Sequence, residues 1–146
     1  MLVSRKIWSR EIIDLLSKTD ILPPFTISGS GPPYMLTMKR YPFDLGDYID
    51  SLGGAKLPEW IGPAVDALID KLHDVGVLHG DLHAKNIIID PPNKDARLID
   101  FDRSAFISEL DGEDVKLYSQ FWNRELGSVG ELLAYERVMW KMAYLD

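Results

Sequence analysis

Residues 86–101, "NIIIDPPNKDARLIDF", limit the fold more than any other stretch. Ile87, Ile88 and Ile89 form one apolar run and Leu98 and Ile99 a second, with Pro91 to Asp95 between them. β-Branched side chains favour an extended backbone, while the prolines and Asn93 favour a turn. The pattern predicts a local hairpin. A hairpin brings the segment before its first strand beside the segment after its second. Here both flanks are polar: "HGDLHAKN" at 79–86 and "DFD" at 100–102.

Three chemistries fit so polar a cluster. His79, Asp81 and His83 alternate, and all are metal-ligand types. The third histidine, His73, falls on a predicted helix, and no fourth ligand is evident for zinc. A solvated loop is the plainest alternative, but it does not call for carboxylates after the second strand. Phosphoryl transfer does call for them. It needs a carboxylate to orient or deprotonate the attacking hydroxyl, and oxygen ligands for Mg²⁺. Asp81 suits the first role, and Asn86 and Asp100 the second. Asn86 lies five positions after Asp81, and Asp100 fourteen after Asn86.

The rest of the chain reads as mostly helical α+β. Trp8, Ile12, Leu15 and Leu16 predict an amphipathic helix over about 5–18, stopped by Pro23 and Pro24. "PFTIS" and "YMLTMK" predict a second hairpin around "GSGPP". Leu45, Ile49 and Leu52 share one face of a short helix ended by Gly53 and Gly54. After Pro58, Ile61, Val65, Leu68, Ile69 and Leu72 form one stripe, with Gly76 as the expected cap. Two more helices come later, over "EDVKLYSQFW" and "VGELLAYERVMWKMAYL". Tyr118, Phe121, Trp122 and Trp140 read as core.

At 146 residues the chain suits one domain, 1–146. The net charge of −7 argues against nucleic acid as a partner. No apolar run is long enough to span a bilayer, and the opening segment does not read as a secretory signal. With no cysteine in the sequence, a reducing, cytoplasmic setting is expected.

"HGDLHAKN" followed by "LIDFD" resembles the catalytic loop and metal-binding motif of the protein-kinase-like superfamily. The resemblance implies Asp81 as catalytic base, His79 packed behind the loop, and Asn86 and Asp100 as metal ligands. Asp102 stands where that motif has glycine, as a second carboxylate at the metal or a residue fixing the loop. Lys85 is either a charge beside the transferred phosphate or an exposed loop lysine. "YMLTMKRYPFDLGDYI" is similar to the fifth strand, hinge and following helix. Lys39, Arg40 and Tyr41 would then meet the adenine edge, with Met38 near the back pocket and Ile88 at the nucleotide site. "LPEWIGPAVDALIDKLHDVGV" resembles the long helix before the catalytic loop. "SREIIDLLSKTDILPPF" resembles the small-lobe helix, with Glu11 at its glutamate.

The resemblance implies ATP and Mg²⁺ and a kinase-like fold with a reduced small lobe, residues 1–40, and a large-lobe part, 41–146. The Gly-rich loop and the strand bearing the ATP-binding lysine are expected to be missing before Glu11. Lys6 lies too close to Glu11 to be that lysine, and "SGSG" at 28–31 reads as a turn. Gly80 and His83 stand where typical eukaryotic protein kinases carry arginine and lysine; Arg103 and Ser104 read as structural. The leading expectation is a phosphotransferase acting on a protein Ser/Thr hydroxyl, with a partner chain that completes the small lobe. An inactive pseudokinase and a small-molecule kinase of the aminoglycoside or choline type are the alternatives.

Overall fold

A computed structural model describes residues 2–4, 9–29 and 35–143, the side chains of 2–4 and 143 excepted. Lys6, Trp8 and residues 30–34 of the first turn lie outside it. Strand β1 (Leu2–Ser4) precedes helix α1 (Arg10–Leu16). The Ser9 hydroxyl caps α1 by accepting from the Ile12 N–H, and Ile12, Ile13 and Leu16 face inward. The helix ends two residues short of the expected Lys18. The hydroxyls of Ser17 and Thr19 bond back to the Asp14 and Leu16 carbonyls and close its last turn.

Strands β2 (Phe25–Ser28) and β3 (Met35–Met38) form the expected antiparallel pair, with Phe25 opposite Met38. β1 pairs with the other side of β3, giving the order β1-β3-β2. The sequence predicts no strand before α1, because three residues are too few to show an alternation.

β4 (Phe43–Asp44) leads into α2 (Leu45–Ser51), whose N-cap is the Asp44 carboxylate. Gly53 and Gly54 follow at φ +58° and +90° and stop it. α3 (Ile61–Asp74) buries the five residues of the predicted stripe. Gly76, at φ +87°, turns the chain into β5 (Val77–Leu78). The hairpin of β6 (Ile87–Asp90) and β7 (Asp95–Leu98) forms as expected, with Ile87 opposite Leu98. β4 adds to the outer edge of β6. β8 (Ala105–Phe106) pairs antiparallel with β5. α4 (Gly112–Trp122) and α5 (Val129–Met139) complete the described chain, α5 tightening into a 3₁₀ turn over Trp140–Ala143.

One apolar cluster joins α1, β3, α2, α3, the β6–β7 hairpin, Phe101 and Trp140. A second joins Leu78, Val115, Tyr118 and Leu132. They meet at β5, where Val77 belongs to one and Leu78 to the other. Trp140 and Tyr118 are core, as expected, and Trp122 is half-buried. Phe121 is not core: it is 46% exposed. Among the described residues no helix is long and apolar enough to cross a membrane.

Candidate active site

Two strand pairings assemble the polar cluster. In the β6–β7 hairpin Asn86 and Ile99 flank the same open end, joined by an Ile99 N–H to Asn86 carbonyl bond of 2.9 Å. This sets Asp100 beside the loop that ends at Asn86. In the second pair Leu78 lies opposite Ala105, so residues 79–81 leave β5 where Arg103 and Ser104 enter β8. Both motifs therefore converge on one place.

His79 ties them together. It is fully buried. Its Nδ1 accepts the Asp81 N–H at 3.1 Å, so the ring proton sits on Nε2, which donates to the Ile99 carbonyl at 2.7 Å. The ring also packs on Phe101 with centroids 4.6 Å apart. Burial pushes the imidazole below its ordinary pKa, against the pull of nearby Glu136 and the Ile99 bond. His79 is scaffolding, as its place in the sequence suggests.

Asn86 is buried, and its amide nitrogen donates to the Asp81 carbonyl at 2.7 Å. That bond fixes the amide and leaves Oδ1 as its ligating atom. The Asp81 side chain is 32% exposed at the mouth of the loop. His83 Nδ1 accepts the Lys85 N–H at 3.3 Å, and its Nε2 lies 3.2 Å from the Asn86 amide nitrogen and 3.7 Å from Asp81 Oδ1. Asp100 is half-buried and lies at φ +62°, a left-handed conformation unusual outside glycine. Asp102 is exposed. Among the described residues no group of three or more histidines and carboxylates is placed to hold a metal, so the His79–Asp81–His83 zinc reading has no geometry behind it. An amide oxygen with a carboxylate suits Mg²⁺, which completes its shell with phosphate oxygens and water.

Gly80 is glycine for a steric reason. It sits at φ +89°, and a Cβ there would lie 2.1 Å from the Arg103 carbonyl oxygen and 2.9 Å from the Tyr118 ring. Its N–H donates to Glu136 Oε2 at 2.8 Å, and its carbonyl accepts Trp122 Nε1 at 2.9 Å. Glu136 is the functional residue that sequence reasoning misses. Fully buried on α5, it also accepts the His79 N–H at 2.8 Å and His73 Nε2 at 2.9 Å. A signal for it exists: Glu136 interrupts an i, i+4 apolar stripe of Leu132 and Trp140, where an acid needs partners.

A cleft of about 400 Å³ opens beside the loop. It brings together Lys39, Arg40, Tyr41, Lys85, Ile88 and Ile99. Met38 does not line it; it is packed in the core behind. The Lys39 N–H is taken by the Pro24 carbonyl at 2.8 Å and is not open to the cleft. The Tyr41 hydroxyl donates to Asp95 at 2.5 Å, and burial with that bond raises its pKa. Lys85 is exposed on the wall of this cleft, beside Gly46. Glu11 is an exposed residue in the first turn of α1.

The model of the lipopolysaccharide kinase (Kdo/WaaP) family matches residues 44–116. A 3-deoxy-D-manno-octulosonic acid kinase of Photobacterium profundum is 40% identical over 57 residues, 39% of this chain and 24% of that protein. One from Photobacterium damsela subsp. piscicida is 31% identical over 97 residues, 64% of this chain and 40% of that protein. The chain thus spans less than half the length of these curated relatives. Their names overturn the expected protein acceptor: they are kinases of a sugar acid, not of Ser/Thr side chains. Nor do they support the pseudokinase alternative.

Proposed function

The chain belongs to the lipopolysaccharide kinase (Kdo/WaaP) family, and on that footing we propose that it moves the γ-phosphate of ATP to a hydroxyl of a sugar acid of the 3-deoxy-D-manno-octulosonic type. One observation supports this reading above the others. The Asn86 amide is locked to the Asp81 carbonyl at the same hairpin end that delivers Asp100. In this reading a base and two oxygen ligands share one mouth beside the cleft.

In this reading residues 1–40 are a remnant small lobe with the hinge, and 41–146 a large-lobe part. Nucleotide lies in the cleft between Ile88 and the segment 39–41. Asn86 Oδ1 and the Asp100 carboxylate would hold Mg²⁺, which when bound neutralises phosphate charge. Asp102, exposed two residues on, would be a second carboxylate at the metal or a residue fixing the loop. Lys85 places a positive charge on the cleft wall near the phosphates. Asp81 takes the proton of the acceptor hydroxyl as its oxygen attacks the γ-phosphorus. The bond to the bridging oxygen breaks and ADP leaves with the electron pair. His83, its Nε2 3.2 Å from the Asn86 amide nitrogen, helps hold that amide in place.

The test is acceptor-dependent ADP release with ATP, Mg²⁺ and 3-deoxy-D-manno-octulosonic acid. Asp81→Asn should lower kcat by about a hundredfold to ten-thousandfold, the range of a general base. Turnover unchanged in that variant, or absent from the native chain, counts against the reading.

A further inference from the structure

Arg103 reads as structural from the sequence, and its backbone is: the carbonyl accepts the Tyr118 hydroxyl at 2.5 Å and fills the space that a Gly80 side chain would need. Burial, with Glu136 nearby, pushes the Tyr118 phenol up to about 12, so it stays a donor. The side chain of Arg103 is another matter. It is exposed, three residues past Asp100 and beside the residue before Asp81. Its guanidinium carbon sits 4.2 Å from the centroid of the Phe121 ring. The guanidinium makes no hydrogen bond or ion pair among the described residues. Phe121, 46% exposed on α4, offers the guanidinium a ring face at the surface.

We propose that Arg103, held over Phe121, is an anion subsite that binds the carboxylate of the acceptor sugar acid and so selects the substrate. This rests on the kinase reading above. The physical need is clear. The Asp81 carboxylate is 32% exposed at the mouth of the loop, on a chain of net charge −7. An anionic acceptor meets repulsion there unless a cation receives it. A guanidinium offers two parallel N–H donors to one carboxylate, and a ring beneath it fixes their direction in advance. Lys85 cannot serve this end, because it lines the nucleotide cleft.

The experiment compares 3-deoxy-D-manno-octulosonic acid with its uncharged methyl ester, using the 146-residue chain. Arg103→Gln should raise KM for the acid about ten- to hundredfold, the worth of a charge-assisted pair, with KM for ATP unchanged. The two proteins should handle the ester alike. Arg103→Lys should recover part of the loss. Phe121→Ala should act in the same direction and add nothing to Arg103→Gln. Equal loss on acid and ester, or no loss on the acid, overturns the subsite. Saturation-transfer NMR of the acid without nucleotide reads binding apart from turnover. Binding that depends on Arg103 without any turnover upholds the subsite and defeats the kinase reading. Binding equal in native chain and variant, or none in the native chain at millimolar acid, overturns the subsite whatever the turnover. Circular dichroism of each variant should match the native chain.

Discussion

His79 illustrates how much one residue outside the chemistry can decide. Its two nitrogens have fixed and opposite roles, accepting from Asp81 and donating to Ile99. A second proton on Nδ1 would break the first bond and charge a ring with no access to water. Burial therefore holds its folded pKa below the ordinary 6.5. The unfolded chain takes up a proton as pH falls below about 6.5, while the folded one does not. The stability that neutral His79 contributes is thus complete above that pH and declines as pH drops toward the lowered value. Imidazole ¹⁵N spectra should show His79 keeping the neutral Nε2–H form below the pH at which an ordinary histidine protonates, with Tm falling as pH drops. A His79 midpoint in the folded protein at or above the ordinary 6.5 would remove the argument.

At the scale of elements, the sequence is legible where periodicity has room to repeat. The α3 stripe and the β6–β7 hairpin each carry their own pattern, and both form as read. β1, β4, β5 and β8 are two or three residues long and exist because a partner strand lies alongside. No local pattern can announce them, nor the contact of Gly80 with Arg103 that they create. The motif positions Asp81, Asn86 and Asp100 are readable; the carboxylate that holds their loop, Glu136, is harder to find, since it comes from α5. α5 in turn depends on its start. The Ser128 hydroxyl accepts the Glu131 N–H at 3.1 Å, and the Glu131 carboxylate accepts the Gly127 N–H. Ser128→Ala should cost about 1 kcal/mol by urea denaturation, the usual worth of an N-cap. Glu136 lies about two turns further on, inside the packed part of the helix, so turnover should change less than about twofold. A large loss of turnover with stability intact would mean that the helix start, not its core, sets the loop.

For the molecule as a whole, the cleft and the core share walls. Ile87 and Ile89 belong to the main apolar cluster, and Ile88 between them lines the cleft. Met38, next to Lys39 in the chain, belongs to the same cluster. A ligand in the cleft should therefore stabilise the entire fold, by RT ln(1 + [L]/Kd). At a hundredfold excess over Kd this is about 2.7 kcal/mol, or roughly 5–10 °C in Tm for a chain of this size. The informative variant is Asp100→Asn. Asn keeps the shape and tolerates the φ of +62° found there, whereas alanine would add strain of its own. If Asp100 holds Mg²⁺, the variant should keep the Tm rise given by ATP alone and lose the increment added by Mg²⁺. The same increment in both proteins would place the ion elsewhere. No rise at all with millimolar ATP and Mg²⁺ would leave the 39–41 segment and Ile88 without a nucleotide to face, and the cleft would then have to be assigned to another ligand.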